Sequence, residues 1–76
     1  MKLFRIRLQG RFRTVRRVVL IHLVNMGEAV TLLEPRRYLW QASSDAFWWQ
    51  GPDCNPRGPF ATATRAVRSA TRGTKA

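Results

Sequence analysis

An alternating N-terminal stretch, a run of β-branched residues behind it and a small-residue helical stripe near the end predict an α+β fold. The expected form is a small antiparallel β-meander of three to four strands with a C-terminal α-helix packed on one face. At 76 residues the chain is one domain, assigned to residues 1–72, with 73–76 as a disordered tail. A domain this short buries only about 60% of its unfolded surface. Its apolar fraction of 45%, with three Trp, four Phe and one Tyr, is enough for one small core.

Residues 2–9 alternate. Phe4, Ile6 and Leu8 fall on one face, and Arg5 and Arg7 on the other. A three-residue loop, Gln9-Gly10-Arg11, would pair Leu8 with Phe12 and Ile6 with Thr14, setting Arg7 opposite Arg13 with Arg5 and Arg17 nearby. Like charges across a hairpin are unfavourable unless solvent or a polyanion neutralises them. The second strand is expected over residues 12–24. Its segment 18–24 is apolar on both faces except at His22, which suits a central strand, and Arg16-Arg17 marks a bulge. A helix over 15–26 is the competing reading, since Val15, Val18, Val19, His22 and Met26 also keep helical spacing. The β-branched content favours the strand.

Asn25-Met26-Gly27-Glu28 reads as a turn before a third strand at 29–34, which Pro35 ends. Residues 36–40 continue the sheet, Ser43-Ser44-Asp45 forms a turn or cap, and Phe47-Trp48-Trp49 makes a short final strand. The stretch 51–59 holds two Gly and three Pro and reads as a loop. A helix then runs to Arg72, with Thr62 as its cap and Ala63, Val67 and Ala70 as its packing stripe. Arg65, Arg68 and Arg72 lie on another face of that helix.

Charge points to the partner. Twelve of fourteen basic residues are arginine against four carboxylates, a net charge of +10. Guanidinium groups grip phosphates or carboxylates bidentately and stack on flat rings, so the partner is expected to be polyanionic. Enzyme chemistry has no comparable support, and none is expected. Glu28, Glu34, Asp45 and Asp53 are scattered, His22 sits in an apolar run, Cys54 lies in a turn sequence, and there is no glycine-rich phosphate loop. No cofactor and no metal are expected. A lone cysteine excludes an internal disulfide and a thiolate zinc site and suits a reducing compartment, so the cytoplasm is the expected location. The apolar run at 18–24 is far below the ~20 residues of a transmembrane helix. The acid-free, Arg-rich N-terminus has the composition of a transit peptide, but its alternation assigns it to the fold.

The expected function is non-catalytic binding of nucleic acid or a nucleoprotein. Arg5, Arg7, Arg13, Arg17, Arg65 and Arg68 would neutralise phosphates, and Trp48 or Trp49 would stack on bases. Adjacent in a strand, the two tryptophans point to opposite faces, so one is expected outside the core. The alternative is a small protein-binding inhibitor or adaptor acting on an acidic protein surface. In size and lack of catalytic groups the chain is similar to small phage-encoded proteins that block host machinery, CRISPR complexes included. Attachment to an anionic membrane surface is a third class, weakened by the small apolar face of the helix. An unpaired edge strand leaves a homodimer open.

Overall fold

Gln9 and Gly10 decide how the sheet begins. Both have positive φ, 51° and 79°, as a two-residue hairpin turn requires, and the Gln9 amide Nε2 donates to Glu28 Oε1 at 2.8 Å. In this computed structural model, which describes residues 2–72, β1 (Leu3–Leu8) therefore pairs with β2 (Arg11–Arg16) as Leu8↔Arg11, Arg7↔Phe12, Ile6↔Arg13 and Phe4↔Val15. The expected three-residue loop is one residue too long. With period-2 side chains a one-residue slip changes faces, so Arg13 leaves the face of Arg5 and Arg7, and Phe12 joins it. The tail expected at 73–76 lies outside the described residues.

The expected strand over 18–24 is a helix. β2 ends at Arg16, and α1 spans Arg17–Asn25. The cause is topological. The next strand, β3 (Val30–Leu33), pairs with the far side of β1. β2 and β3 are thus parallel to each other with β1 between them, and joining them needs a crossover, which a helix supplies. Leu20 and Val24, one turn apart, are fully buried beneath it, while Val18 and His22 face solvent. This burial overrides β-branched propensity. The turn at 25–28 is a Schellman C-cap: the Glu28 N–H donates to Leu23 O and the Gly27 N–H to Val24 O, with Gly27 at φ 90°.

Three further strands follow as hairpins: β4 (Arg36–Ser43), β5 (Ala46–Gln50) and β6 (Pro56–Phe60). The result is a six-stranded antiparallel sheet in the order β2-β1-β3-β4-β5-β6, where three or four strands were expected. The undercount lies in two places. Glu34-Pro35 closes a hairpin instead of a strand irregularity, and the Pro-rich stretch read as a loop supplies β6. Pro56 and Pro59 are tolerated there because β6 is an edge strand.

The last helix, α2 (Ala63–Thr71), forms as expected. The Thr62 hydroxyl oxygen accepts from the Arg65 N–H at 3.3 Å, and Ala63, Val67 and Ala70 are buried with Ala66 and Thr71. Both helices lie on one side of the sheet. Between them and the sheet sits the core of Phe4, Ile6, Leu20, Val24, Val30, Leu32, Leu39, Phe47, Trp49 and Val67. Among the described residues, the other face of the sheet carries no helix. No helix of the described residues is long and apolar enough to cross a membrane.

Candidate functional site

Alternation along each strand sends half its side chains to the uncovered face, and the register shows which ones meet there. One row crosses the whole sheet: Phe12, Arg7, Thr31, Tyr38, Gln50 and Pro56. Arg5 and Thr14 pair in the adjoining row on one side of it, as do Leu33 and Arg36, and Trp40 pairs with Trp48 on the other side. The face is therefore divided. Arginines occupy β1, the end of β2, where Arg16 stands opposite Leu3, and the start of β4; the Tyr and Trp rings occupy β4 and β5, and Tyr38 stands where the two groups meet.

The rings form a ladder. Tyr38 and Trp40 are 5.5 Å apart between centroids at an interplanar angle of 28°, and Trp40 and Trp48 are 6.4 Å apart at 10°. These separations are those of offset-stacked rings, and Tyr38, at the end of the ladder, is the most exposed of the three. Trp40 and Trp48 are half-buried and Tyr38 is exposed. Trp48 takes its position from β6. Its benzo edge lies over Gly58, where an added Cβ would stand 3.0 Å from Cδ2 and 3.1 Å from Cε3.

Beside the ladder lies a groove of about 430 Å³ whose lining includes Arg7, Arg36, Tyr38, Gln50, Gly51 and Cys54 but no carboxylate. Arg7 and Arg36 are exposed, and their guanidiniums make no ion pair or hydrogen bond among the described residues. Arg5, on the same face, pairs with Glu34 at 2.7 Å. Both groups are more than half exposed, so that pair holds Arg5 by a fraction of a kcal/mol, about 0.2–1.

The expected site residues separate. Arg5, Arg7 and Trp48 share the open face. Arg13 is on the helix side of the edge strand β2, and Arg17, at the start of α1, lies with its guanidinium 5.7 Å over the Phe4 ring. Arg65 and Arg68 are exposed on α2. Trp49 does not fit the stacking role, because only 7% of it is exposed. Arg37 and Arg57 lie over its ring at 5.1 and 4.6 Å, and its Nε1 donates to Ser69 Oγ at 2.9 Å. It serves instead as the pin between β5 and α2. Tyr38 and Trp40, flat rings that the sequence offers for stacking, and Arg36, which it did not single out, complete the face. The signal for all three is their i, i+2 spacing, which puts 36, 38 and 40 on one face of the strand expected at 36–40.

The acids are dispersed around the rim: Glu34 on Arg5, Glu28 on Gln9, Asp45 with Ser43, and Asp53 on Arg57. The Arg57 guanidinium donates to Asp53 and, helped by the Asn55 backbone N–H, holds that carboxyl below its ordinary range. No family model matches the chain, and neither does any curated protein or solved structure.

Proposed function

We propose that this protein binds single-stranded nucleic acid without catalysis, using the uncovered sheet face. The observation that carries the reading is the offset ladder of Tyr38, Trp40 and Trp48 beside the unpaired Arg7 and Arg36. Unstacked bases have flat faces for such rings, each worth about 1–3 kcal/mol, and the backbone supplies the anion. A duplex hides its base faces and leaves the ladder unused, which is why the single strand is favoured.

The test is a titration of short oligonucleotides, followed by tryptophan fluorescence, across a salt series. With Arg5, Arg7 and Arg36 on about three phosphates, log K falls against log salt with a slope of about −2. A fourfold rise in salt then weakens binding about twentyfold. Arg7→Glu with Arg36→Glu removes most of that slope and leaves the fold intact, since both side chains are exposed. No quenching by any single strand at low salt overturns the reading.

A protein target is the second reading. Leu3 and Phe12, 55% and 71% exposed, lie on this same face, and apolar groups mixed with arginine suit an interface. Affinity for an acidic protein surface, in the form of an inhibitor or adaptor, would then survive when oligonucleotide binding fails.

A further inference from the structure

The arginines that the sequence puts in one basic set are divided between two opposite sides of the molecule. At 100° per residue, the buried positions Ala63, Ala66, Val67 and Ala70 fall on one side of α2, and Arg65, Arg68 and Arg72 project from the other within about 60° of one another. They project from the side of α2 opposite the face that packs on the sheet and α1, and the ladder is on the sheet's far face. Together with Phe60 and Ser69 these arginines line a second depression, of about 340 Å³. None of the three pairs with a carboxylate among the described residues, and residues 60–72 contain no acid.

Resting on the reading above, we infer that the α2 face is a second nucleic-acid site, one that grips phosphodiester backbone only, and that one molecule bridges two strands. The chemistry of the two sides differs. The ladder side has rings for bases; the α2 side has guanidiniums and one half-buried Phe, and so matches backbone of either a single strand or a duplex. The electrostatics permit both at once. A strand on Arg5, Arg7 and Arg36 leaves most of the +10 charge uncompensated. The molecule is 23 Å across its shortest dimension, more than twice the ~8 Å screening length in physiological salt, so strands on opposite sides barely repel.

The experiment mixes donor-labelled and acceptor-labelled oligo(dT) with the full chain and reads energy transfer, with tryptophan quenching recorded alongside. A parallel arm replaces the acceptor strand by an acceptor-labelled duplex. Transfer in either arm, rising at substoichiometric protein and falling at excess, supports bridging; the arm shows which backbone the α2 face accepts. The double variant Arg65→Glu/Arg68→Glu is expected to keep the oligo(dT) affinity of the ladder, read by tryptophan quenching, within about threefold and to lose the transfer. That variant stays folded for a specific reason: Glu at position 65, three residues after the Thr62 cap, completes a capping box. Quenching without transfer in both arms overturns the inference and leaves the single-strand reading standing. Transfer that persists in the double variant overturns it too, because the second strand is then held elsewhere. Absence of quenching is the separate failure of the reading on which it rests.

Discussion

Gly58 links the edge of the sheet to the binding face, and Gly58→Ala measures that link. Its φ is 148°, in a region that side chains rarely enter, so alanine there costs about 1–3 kcal/mol in backbone strain alone. The new methyl would also stand 2.8 Å from Phe47 O and 3.0 Å from Trp48 Cδ2. The carbonyl oxygen is fixed by the sheet, so either the β5–β6 pairing gives or the indole lifts. A total near 3 kcal/mol is expected, and at about 4–8 °C per kcal/mol for a domain of this size the melting temperature falls by about 12–24 °C. Gly10→Ala is the control. It too has positive φ, 79°, but nothing lies within 4 Å of its added Cβ, so only the left-handed cost of about 1–2 kcal/mol applies. Thermal melts by far-ultraviolet circular dichroism give both numbers. Below the melting range, Gly58→Ala should also bind oligo(dT) at least about fivefold more weakly, the lower limit of one stacking contact. If Gly58→Ala melts no lower than Gly10→Ala, Trp48 is not seated on Gly58 and the ladder loses its support.

Trp49→Phe removes the donor to Ser69 and part of a buried ring, so stability falls by about 1–3 kcal/mol while oligonucleotide affinity stays unchanged; urea unfolding and fluorescence titration separate the two. Thr62→Ala loses the α2 cap, about 1 kcal/mol, visible as a lower melting temperature. Asp53 is expected to titrate below the usual carboxylate midpoint of about 3.9, observed by NMR of its carboxyl carbon, and Arg57→Ala returns it toward that value. Because the folded-state value is the depressed one, its stabilising effect is present above the ordinary midpoint. It is lost only as pH falls through the folded value.

Local chemistry was legible where one residue type governs one feature. Thr62 and the Ala63–Val67–Ala70 stripe announced α2, and the adjacency of Trp48 and Trp49 announced that one ring would leave the core. What was not legible depended on partners distant in sequence. Residues 18–24 satisfy strand and helix patterns alike, and only the placement of β1 between β2 and β3 requires the crossover. The hairpin register turned on Gln9 adopting positive φ, which Gln rarely does, with its side chain tied to Glu28, nineteen residues away. That single residue moved Arg13 off the binding face and Phe12 onto it. The prolines concealed β6 because their edge position becomes visible only once the rest of the sheet is ordered.

The two edges of the sheet bear on whether the open face stays available. β6 begins with Pro56 and carries Pro59, two positions with no N–H to offer a further strand. β2 has the sequence RFRTVR, and an antiparallel second copy must choose a register. Centring on Arg13 sets Arg13 against its own copy. Centring on Phe12 sets Arg11 against Arg13, and centring on Thr14 sets Phe12 against Arg16 and Arg13 against Val15. The first two place guanidiniums directly opposite, an unfavourable cross-strand pair, and the third still brings the six arginines of two β2 strands together. The dimer left open by the edge-strand argument is therefore opposed at both edges, and the chain is expected to sediment as a monomer of 8.8 kDa without nucleic acid. Raising salt from 50 mM to 1 M screens the repulsion, so any self-association through β2 should strengthen with salt, opposite in sign to oligonucleotide binding. A dimer that is strongest at low salt would refute the argument, since like-charged strands cannot be its interface.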